Sequence, residues 1–328
     1  MAVKTRSGKI VSIDWDVRSV RVVHASVSKR GVSIDRLLSA EIPADVHPSD
    51  PAQMGAHIRR VLDQERIKTR VAVVDIPRDQ AILKALALPS AKVDDLPGMV
   101  GIQIARELPF PASEAVIDFV STGPAADDSA GVLVAATRRE VLAHYEAIFE
   151  QAGLKLERVG LRPYANQVAV AELLKHAVPE HVLFIDVGPA LTEIDVLRHG
   201  VLAFSRAASV VIPKALPAEK QTGGLRLTLP AENTLDLGDV GVPRTGTSAD
   251  SVIQTLVVEV MRSIEAYRSS DVGAGIDHVV IGGDMGVEEA LADALQKKLS
   301  VTTQLYNPAT SFGWEPDEGT AAAAFASA

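Results

Sequence analysis

The stretch that decides the fold is Val182–Gly188 (VLFIDVG), an apolar run that ends in an aspartate and a glycine. A short apolar run bounded by turn residues is typical of a buried strand. The segments Thr192–Arg198 and Val201–Ala207 follow it with strand-like alternation and a His-Gly turn between them. Near the start of the chain, Ile10–Asp16 (IVSIDWD) also leads into two alternating segments. Such an internal repeat predicts two related α/β lobes.

Helical patterns complete both halves of this repeat. Ala52–Gln64 has apolar residues at helical spacing and precedes the short apolar strand Val71–Ile76. In the second half, the long amphipathic segment Ser251–Tyr267 precedes a strand at Asp277–Gly282 and a helix at Val287–Leu299. Each lobe is therefore expected to hold a mixed sheet, in which three antiparallel strands are joined by parallel ones.

The region between the halves carries its own strands and helices. Lys92–Leu108 is helical in part, and Thr137-Arg138-Arg139-Glu140 has the pattern of a capping box at the start of a helix. We expect a first lobe formed by residues 1–81 and 155–180, an inserted small subdomain at 82–154, and a second lobe at 181–328. The Pro- and Gly-rich stretch 213–248 is expected to be flexible.

Composition excludes several classes of function. The 33 Lys and Arg residues against 42 Asp and Glu give a formal charge of −9, which argues against general nucleic-acid binding. The absence of cysteine excludes disulfides and zinc–thiolate sites. No signal peptide or apolar run of about 20 residues is apparent, so a cytoplasmic location is expected. Residues 1–120 carry a charge of +2 and residues 121–328 carry −11, so the first part could face an anionic surface, although two differently charged halves that are both kept soluble explain this charge distribution better.

Three loops are the candidate ligand-binding positions, because in a two-lobed protein the first hairpin of each lobe points at the cleft. The first loop contains Asp14, Ser19 and Arg21, but it has no glycine and adds a second carboxylate at Asp16. A carboxylate repels phosphate, so this loop is poorly suited to a nucleotide. A hairpin with solvated charges is an equally good interpretation.

The second and third loops are better suited to a ligand. Asp186, Gly188 and Thr192 fit a hairpin that faces phosphate, although the intervening proline removes a backbone donor. Gly282 and Gly283 lie between a strand and a helix, where a ligand could rest against the backbone and the helix N-terminus. An ordinary glycine turn explains the same residues equally well.

No catalytic residue and no metal site is predicted from the remaining motifs. The eight histidines show no metal-ligand spacing. Asp75 follows a buried strand, where it could activate water or hold Mg²⁺ through water, although an aspartate at a strand end more often caps a turn.

Together these features resemble the PilM family of type IV pilus assembly proteins, within the actin-like ATPase superfamily. Ile13-Asp14 with Ser19-Val20-Arg21 is similar to the family's first hairpin, and Asp186-Val187-Gly188 to its second. Ile281-Gly282-Gly283 is similar to its adenosine loop. The remaining similar segments follow in the same order along the chain: Glu107–Pro111 with Asp118, Val134–Thr137, Ala152–Leu154, Ser205-Arg206 and Tyr306–Pro308.

The departures from the family pattern all concern phosphate binding. Asp16 stands at the position of a glycine, Val17 and Arg18 at those of serines, and Asp284 at that of a third glycine. Each change removes a phosphate donor or adds negative charge. ATP with Mg²⁺ is the cofactor that the family implies, and these changes predict that its binding is weakened or lost while the actin-like, ribonuclease H-like fold is kept.

The resemblance therefore implies a scaffold of a type IV pilus or a related secretion machine. Such a scaffold lies in the cytoplasm, peripheral to the inner membrane, and docks an N-terminal cytoplasmic peptide of a PilN-like membrane protein between the first lobe and the small subdomain. Self-association is left open, and neither nucleic-acid binding nor direct membrane insertion is expected. The alternatives are an active ATPase or small-molecule kinase of the same superfold, and an actin-like scaffold of type II secretion or cell division.

Overall fold

The computed structural model describes residues 7–89, 95–124, 129–214, 249–270 and 275–307. Three sheets organise these residues, two with five strands and one with three. The flexible segment predicted at 213–248 lies, from residue 215 on, outside the described residues, as does Pro308 of the family-like C-terminal motif. Within the described part, no helix is long and apolar enough to cross a bilayer.

The first sheet has the strand order β3-β2-β1-β4-β8. Its strands are β1 (Gly8–Trp15), β2 (Ser19–Ser28), β3 (Gly31–Glu41), β4 (Val71–Ile76) and β8 (Lys155–Leu161). β1, β2 and β3 are antiparallel neighbours, whereas β4 and β8 run parallel to β1. The apolar side chains of one face are buried under helices α1 (Pro51–Gln64) and α3 (Arg139–Gln151).

The second sheet repeats this topology with the order β11-β10-β9-β12-β13. Its strands are β9 (His181–Val187), β10 (Thr192–Arg198), β11 (Val201–Ala208), β12 (His278–Gly283) and β13 (Thr302–Leu305). Again three strands are antiparallel and two are parallel. Helices α5 (Ala249–Ser270) and α6 (Glu288–Leu299) cover one face. The identical order confirms the internal repeat expected from the two apolar runs.

The third sheet is small and antiparallel, in the order β5-β7-β6. It consists of β5 (Ile82–Leu88), β6 (Ala115–Pro124) and β7 (Ala130–Arg138), and α2 (Leu96–Ala105) covers one face. On the other face, Leu133 is buried against α4 (Arg162–Leu173) and the second sheet. The limits of the lobes and of the inserted subdomain remain predictions.

One local expectation is wrong, namely the capping box before α3. Thr137 lies in β7, and its hydroxyl donates to the carbonyl of Gln80 at 2.8 Å instead of capping the helix. The helix begins one residue after its N-cap, Arg138, which has no side-chain cap. The Thr137 hydroxyl therefore forms a tertiary hydrogen bond with Gln80 in place of the helix cap that the local sequence pattern predicted. Gly153, just after the end of α3, has a left-handed φ of +68°, a conformation that glycine often adopts at this position.

Candidate functional site

The site is a cleft between the hairpins of the two large sheets. Its cavity volume is about 230 Å³, below the 300–1,000 Å³ typical of ligand pockets. The β1–β2 turn, the β9–β10 turn and the residues after β12 meet here. Among the residues that line it are Asp16, Arg21, Arg162, Asp186, Gly188, Glu193, Gly283 and Asp284.

In the β1–β2 turn, a carboxylate of the protein accepts the backbone donors. One oxygen of Asp16 accepts hydrogen bonds from the N–H groups of Arg18, at 2.6 Å, and Ser19, at 3.0 Å. The other oxygen accepts from Arg21 at 2.5 Å. Successive backbone N–H groups in a turn form the kind of concave site that binds phosphate. Here the side chain of Asp16 takes the place that an anionic ligand would fill.

At the base of the cleft lies a buried network of ion pairs. Asp14 forms ion pairs with Arg21 at 2.6 Å and with Arg162 at 2.6 Å. Arg162 forms a further ion pair with Glu193 at 3.0 Å. Burial alone would raise the pKa of Asp14, but Arg162 and Arg21 overcome it and hold that pKa below its usual value. The network joins the first sheet to the second through Arg162, which stands at the start of α4.

Two buried carboxyl groups around this network, those of Glu193 and Asp195, have raised pKa values, in contrast to Asp14. Burial raises the pKa of Glu193 to about 8, and Asp195 and Asp186 act in the same direction against Arg162. Burial likewise raises the pKa of Asp195 to about 6, although hydrogen bonds from Ser205 and Asn166 oppose the shift. These raised pKa values show that the surroundings of the cleft disfavour further negative charge, which also disfavours a polyphosphate.

The β9–β10 turn offers few donors to a ligand. The N–H of Gly188 donates to the carbonyl of Leu191 at 3.1 Å, and Pro189 has no N–H. A Cβ at position 188 would lie only 2.6 Å from that carbonyl oxygen, so the glycine is required for the turn itself. Thr192 is fully buried at the start of β10 and is not among the residues that line the cleft.

After β12, a second internal carboxylate accepts helix-terminal donors. Glu288 accepts hydrogen bonds from the N–H groups of Met285 at 2.6 Å and Val287 at 3.0 Å, at the start of α6. Gly283 has φ +131°, and a Cβ there would approach the carbonyl oxygen of Val187 to 2.6 Å. The helix N-terminus, which would otherwise attract an anion, is therefore neutralised by the protein itself.

Arg18 lies beside the cleft and contacts residues of the second half of the chain. Its guanidinium donates to the carbonyl of Ile212 and lies 3.7 Å from the sulfur of Met285. The N–H of Ile212 in turn donates to the carbonyl of Pro189 at 2.9 Å. The first hairpin is thereby joined directly to the segment that leaves β11 and to the turn after β12.

Comparison with known proteins gives a family assignment. The family model described as type IV pilus assembly protein PilM matches residues 12–210, which is more than half of the chain. The chain belongs to the PilM family. This confirms the resemblance read from the two hairpins and the adenosine-type loop. Among curated proteins, none matches the sequence significantly.

One solved structure shows the same fold over nearly the full length, and others match more weakly. The "PilM-PilN type IV pilus biogenesis complex" matches with a TM-score of 0.76 at 21% identity, over 98% of this chain and 96% of that one. A Bacteroides thetaiotaomicron protein with an actin-like ATPase fold matches at TM-score 0.48 and 10% identity, over 92% and 91%. MreB 5 of Spiroplasma citri matches at 0.44 and 11%, over 98% and 95%. The match to the PilM-PilN complex and the two mixed sheets confirm the expected α/β fold class.

The predicted site residues of this PilM-family chain divide into two groups. Arg21, Asp186, Gly188 and Gly283 line the cleft, together with the two acidic departures from the family pattern, Asp16 and Asp284. The remaining four are not among the residues that line the cleft: Asp14, Ser19, Thr192 and Gly282. Ser19 contributes its N–H to Asp16 and its hydroxyl oxygen to Arg21 at 3.2 Å. Their role in holding a cofactor remains a prediction.

Sequence reasoning missed Arg162, Glu193 and Glu288. A signal for Arg162 exists, because a cation in the first turn of a helix opposes the helix dipole and needs an anionic partner. Pro163 marks that first turn in the sequence. Glu288 has a comparable signal as an acid at a helix start after a Gly-rich turn. Glu193 has none, since its partner is 31 residues away.

Proposed function

We infer that this PilM-family chain is a non-catalytic actin-like scaffold of a type IV pilus or a related secretion machine. It binds a short N-terminal cytoplasmic peptide of a PilN-like inner-membrane protein, and its nucleotide cleft is degenerate. The observation that carries the proposal is the match to the PilM component of a PilM–PilN complex over nearly the full length of both chains. Through this partner the scaffold is held in the cytoplasm beside the inner membrane.

The contacts in the cleft support the loss of ATP binding. Asp16 and Glu288 accept the backbone donors of two loops, and Gly188 donates within its own turn. The cations that could neutralise a triphosphate, Arg21 and Arg162, already pair with buried carboxylates. The donor set does not fit ATP with Mg²⁺, because a ligand would have to break charge-assisted hydrogen bonds before it could make its own.

The small sheet supports a peptide groove at its boundary with the first lobe. On the face turned away from α2, Val120 is 41% exposed and lies directly opposite the buried Leu133 in the β6–β7 pair. Asp118 is on the same face. Burial and, to a smaller extent, the negative charge of Asp118 raise the pKa of Tyr164 on α4 to about 12. An apolar side chain beside polar ones at a seam between two units suits a short mixed peptide.

Two titrations test this proposal. The first is calorimetry with ATP and Mg²⁺, for which we expect no measurable heat of binding. Micromolar affinity with turnover would show an active ATPase and overturn the degenerate cleft. The second measures fluorescence anisotropy of a labelled peptide that copies the N-terminal cytoplasmic tail of a PilN-like protein from the same organism.

The peptide titration has a matched pair of variants. We expect Val120→Asp to weaken peptide binding at least tenfold, because it places a charge in the apolar groove. Val258→Asp on α5 makes the same change at a similarly exposed position, 47% in the native chain, and should bind as tightly as the native protein. Equal affinity of both variants would place the peptide elsewhere, and no binding to the native chain would refute the scaffold's proposed partner.

A further inference from the structure

The end of the first sheet opposite the cleft collects cationic side chains. Asp14 marks the cleft end of β1, and Lys9 lies five residues earlier, about 16 Å away along the strand. Because β4 and β8 run parallel to β1, Arg70 and Lys155 reach this same end. We call it the basal edge. Its nine cations are Lys9, Lys29, Arg30, Arg36, Arg59, Arg66, Lys68, Arg70 and Lys155.

The topology explains why these residues come together. The β2–β3 hairpin turns at Lys29 and Arg30 beside the start of β1. Helix α1 runs from the cleft end back to the basal edge, so the connection 65–70 that follows it also lies here. Arg59 is placed at the same end, because its guanidinium lies beside Gly153 just before β8. One row of cations therefore spans the sheet, which is about 20 Å wide over five strands.

The acidic residues of the basal edge do not balance it. Asp35, Asp63, Glu65, Glu150 and Glu157 give five carboxylates against nine cations, a net charge of +4. Four of them are already paired, for example Asp35 with Lys9 at 3.3 Å and Glu65 with Arg36 at 3.0 Å. The whole chain carries −9, so the remainder of the molecule carries −13.

Four cations of the basal edge have no carboxylate partner. Lys29, Arg30, Arg66 and Lys68 are all exposed, and within the described residues none of them forms an ion pair. They lie in two turns, which leaves their side chains free to reach a charged surface. Like charges held together on an acidic protein repel one another, and an anionic partner relieves that repulsion.

We propose that the basal edge binds the anionic headgroups of a membrane surface. A broad row of long, flexible cations without a pocket suits a surface of many phosphates, and each basic residue adds to the attraction of such a surface. Nucleic acid fits less well, because Trp15 of the first sheet and Tyr145 and Phe149 of the covering helix α3 pack into the core and provide no stacking surface at this edge. The choice of a membrane rests on the proposed function, which places the partner there.

The experiment is co-sedimentation of the full chain with vesicles. We expect binding to vesicles of phosphatidylcholine and phosphatidylglycerol in equal parts, and none to phosphatidylcholine alone. Binding should fall steeply as salt rises above about 0.15 M, where charges are screened beyond about 8 Å. The variant Lys29→Glu/Lys68→Glu should bind at least about tenfold more weakly.

A matched control carries the same charge change elsewhere. Lys297→Glu/Lys298→Glu alters two exposed lysines at the end of α6 in the second sheet's layer and should bind vesicles like the native chain. Circular dichroism of both variants checks that each is folded. Equal loss in both variants, equal binding to neutral vesicles, or salt-sensitive binding to duplex DNA in place of vesicles would overturn the proposal.

The two proposals fail separately. The peptide titration uses a soluble peptide without lipid, so its outcome is independent of the basal edge. If the peptide binds and the vesicles do not, the scaffold stands and the membrane contact is wrong. If the vesicles bind and the peptide does not, the reverse holds.

Discussion

Two carboxylates occupy backbone donors that a ligand could otherwise use. Asp16 and Glu288 each accept hydrogen bonds from two backbone N–H groups at a loop of the cleft. Hydrogen bonds to an ionised acceptor are about twice as strong as neutral ones. A side chain that is always present therefore outcompetes a ligand that must lose its own freedom on binding.

Removing the Asp16 carboxylate should return part of the anion site. We expect Asp16→Gly to bind ATP with Mg²⁺ measurably by calorimetry, because the N–H groups of Arg18 and Ser19 become available. The lost ion pair with Arg21 should lower the free energy of unfolding by about 1–3 kcal/mol. Asp45→Gly, at an exposed loop position, is the control. If Asp16→Gly folds and still binds no ATP, the block lies in the other loops.

The half-buried Asp75 makes the stability of the protein depend on pH. Burial raises its pKa to about 6, and Asp14 acts in the same direction. The folded-state value lies above the ordinary 3.8, so the folded protein holds the proton more tightly. The stabilisation that comes from the protonated Asp75 carboxyl is fully present below about pH 4, and it is lost as the pH rises through 6.

Asp75→Asn should remove this dependence. The amide keeps the shape without the charge, so we expect the variant to be more stable than the native chain by about 2–3 kcal/mol at pH 8 and similar to it at pH 4. Urea unfolding across this pH range measures the difference. Asp79→Asn, an exposed neighbour, should show no comparable trend, and a constant offset for Asp75→Asn would contradict the assignment.

For single residues, the sequence alone was enough to identify the candidate site side chains that belong to a hairpin or to a strand end. Asp14, Arg21, Asp186 and the paired glycines could be found because each lies within a few residues of a strand end. Arg162 and Glu193 could not be placed in the cleft, since their contacts depend on how α4 packs between the sheets. Long-range packing of this kind leaves no local spacing in the chain.

Among the elements, the close approach of α1 to α3 depends on one residue, Gly55. A Cβ on Gly55 would lie 2.5 Å from the Cβ of Gln151 and 2.6 Å from the carbonyl oxygen of Ile148. Only a glycine lets the two backbones come this near. The strands and helices themselves were predictable from periodicity, but the glycine's role was not, because it depends on a neighbour in space.

Replacing this glycine should separate the two helices. We expect Gly55→Ala to lower the free energy of unfolding by about 1–3 kcal/mol, the usual cost of overpacking a core. Gly98→Ala in α2 is the control, because a Cβ there meets nothing within 4 Å. By helix propensity it should be neutral or stabilise by up to about 1 kcal/mol. Chemical denaturation compares them, and equal effects would contradict the close approach.

On the scale of the whole molecule, Arg162 and Arg18 tie the two large sheets together. Arg162 pairs with Asp14 on β1 and with Glu193 on β10, while Arg18 reaches Ile212. The duplicated topology was predictable from the repeat of two apolar runs ending in aspartate. The bridging was not, since each of these contacts joins residues more than 30 positions apart in the chain and leaves no local spacing pattern.

Breaking the Arg162 bridge should destabilise both halves. We expect Arg162→Met to cost about 3–5 kcal/mol, because it leaves Asp14 and Glu193 buried without their shared cation. Arg158→Met, on the exposed side of β8, should change stability by less than about 0.5 kcal/mol. Urea unfolding followed by circular dichroism measures both. A small effect at Arg162 would mean that the sheets are held mainly by the apolar core around α4.

The carboxylate of Asp16 also bears on how such a scaffold could be timed. A ligand built into the chain has an effective concentration set by geometry, so its occupancy does not follow the supply of nucleotide in the cell. The state of an ATPase changes with each turnover, so its assembly can follow the cycle of hydrolysis. If this chain binds no nucleotide, as we propose, its assembly cannot follow such a cycle. On that proposal, the time of assembly depends on the synthesis of the chain and on the arrival of its partner.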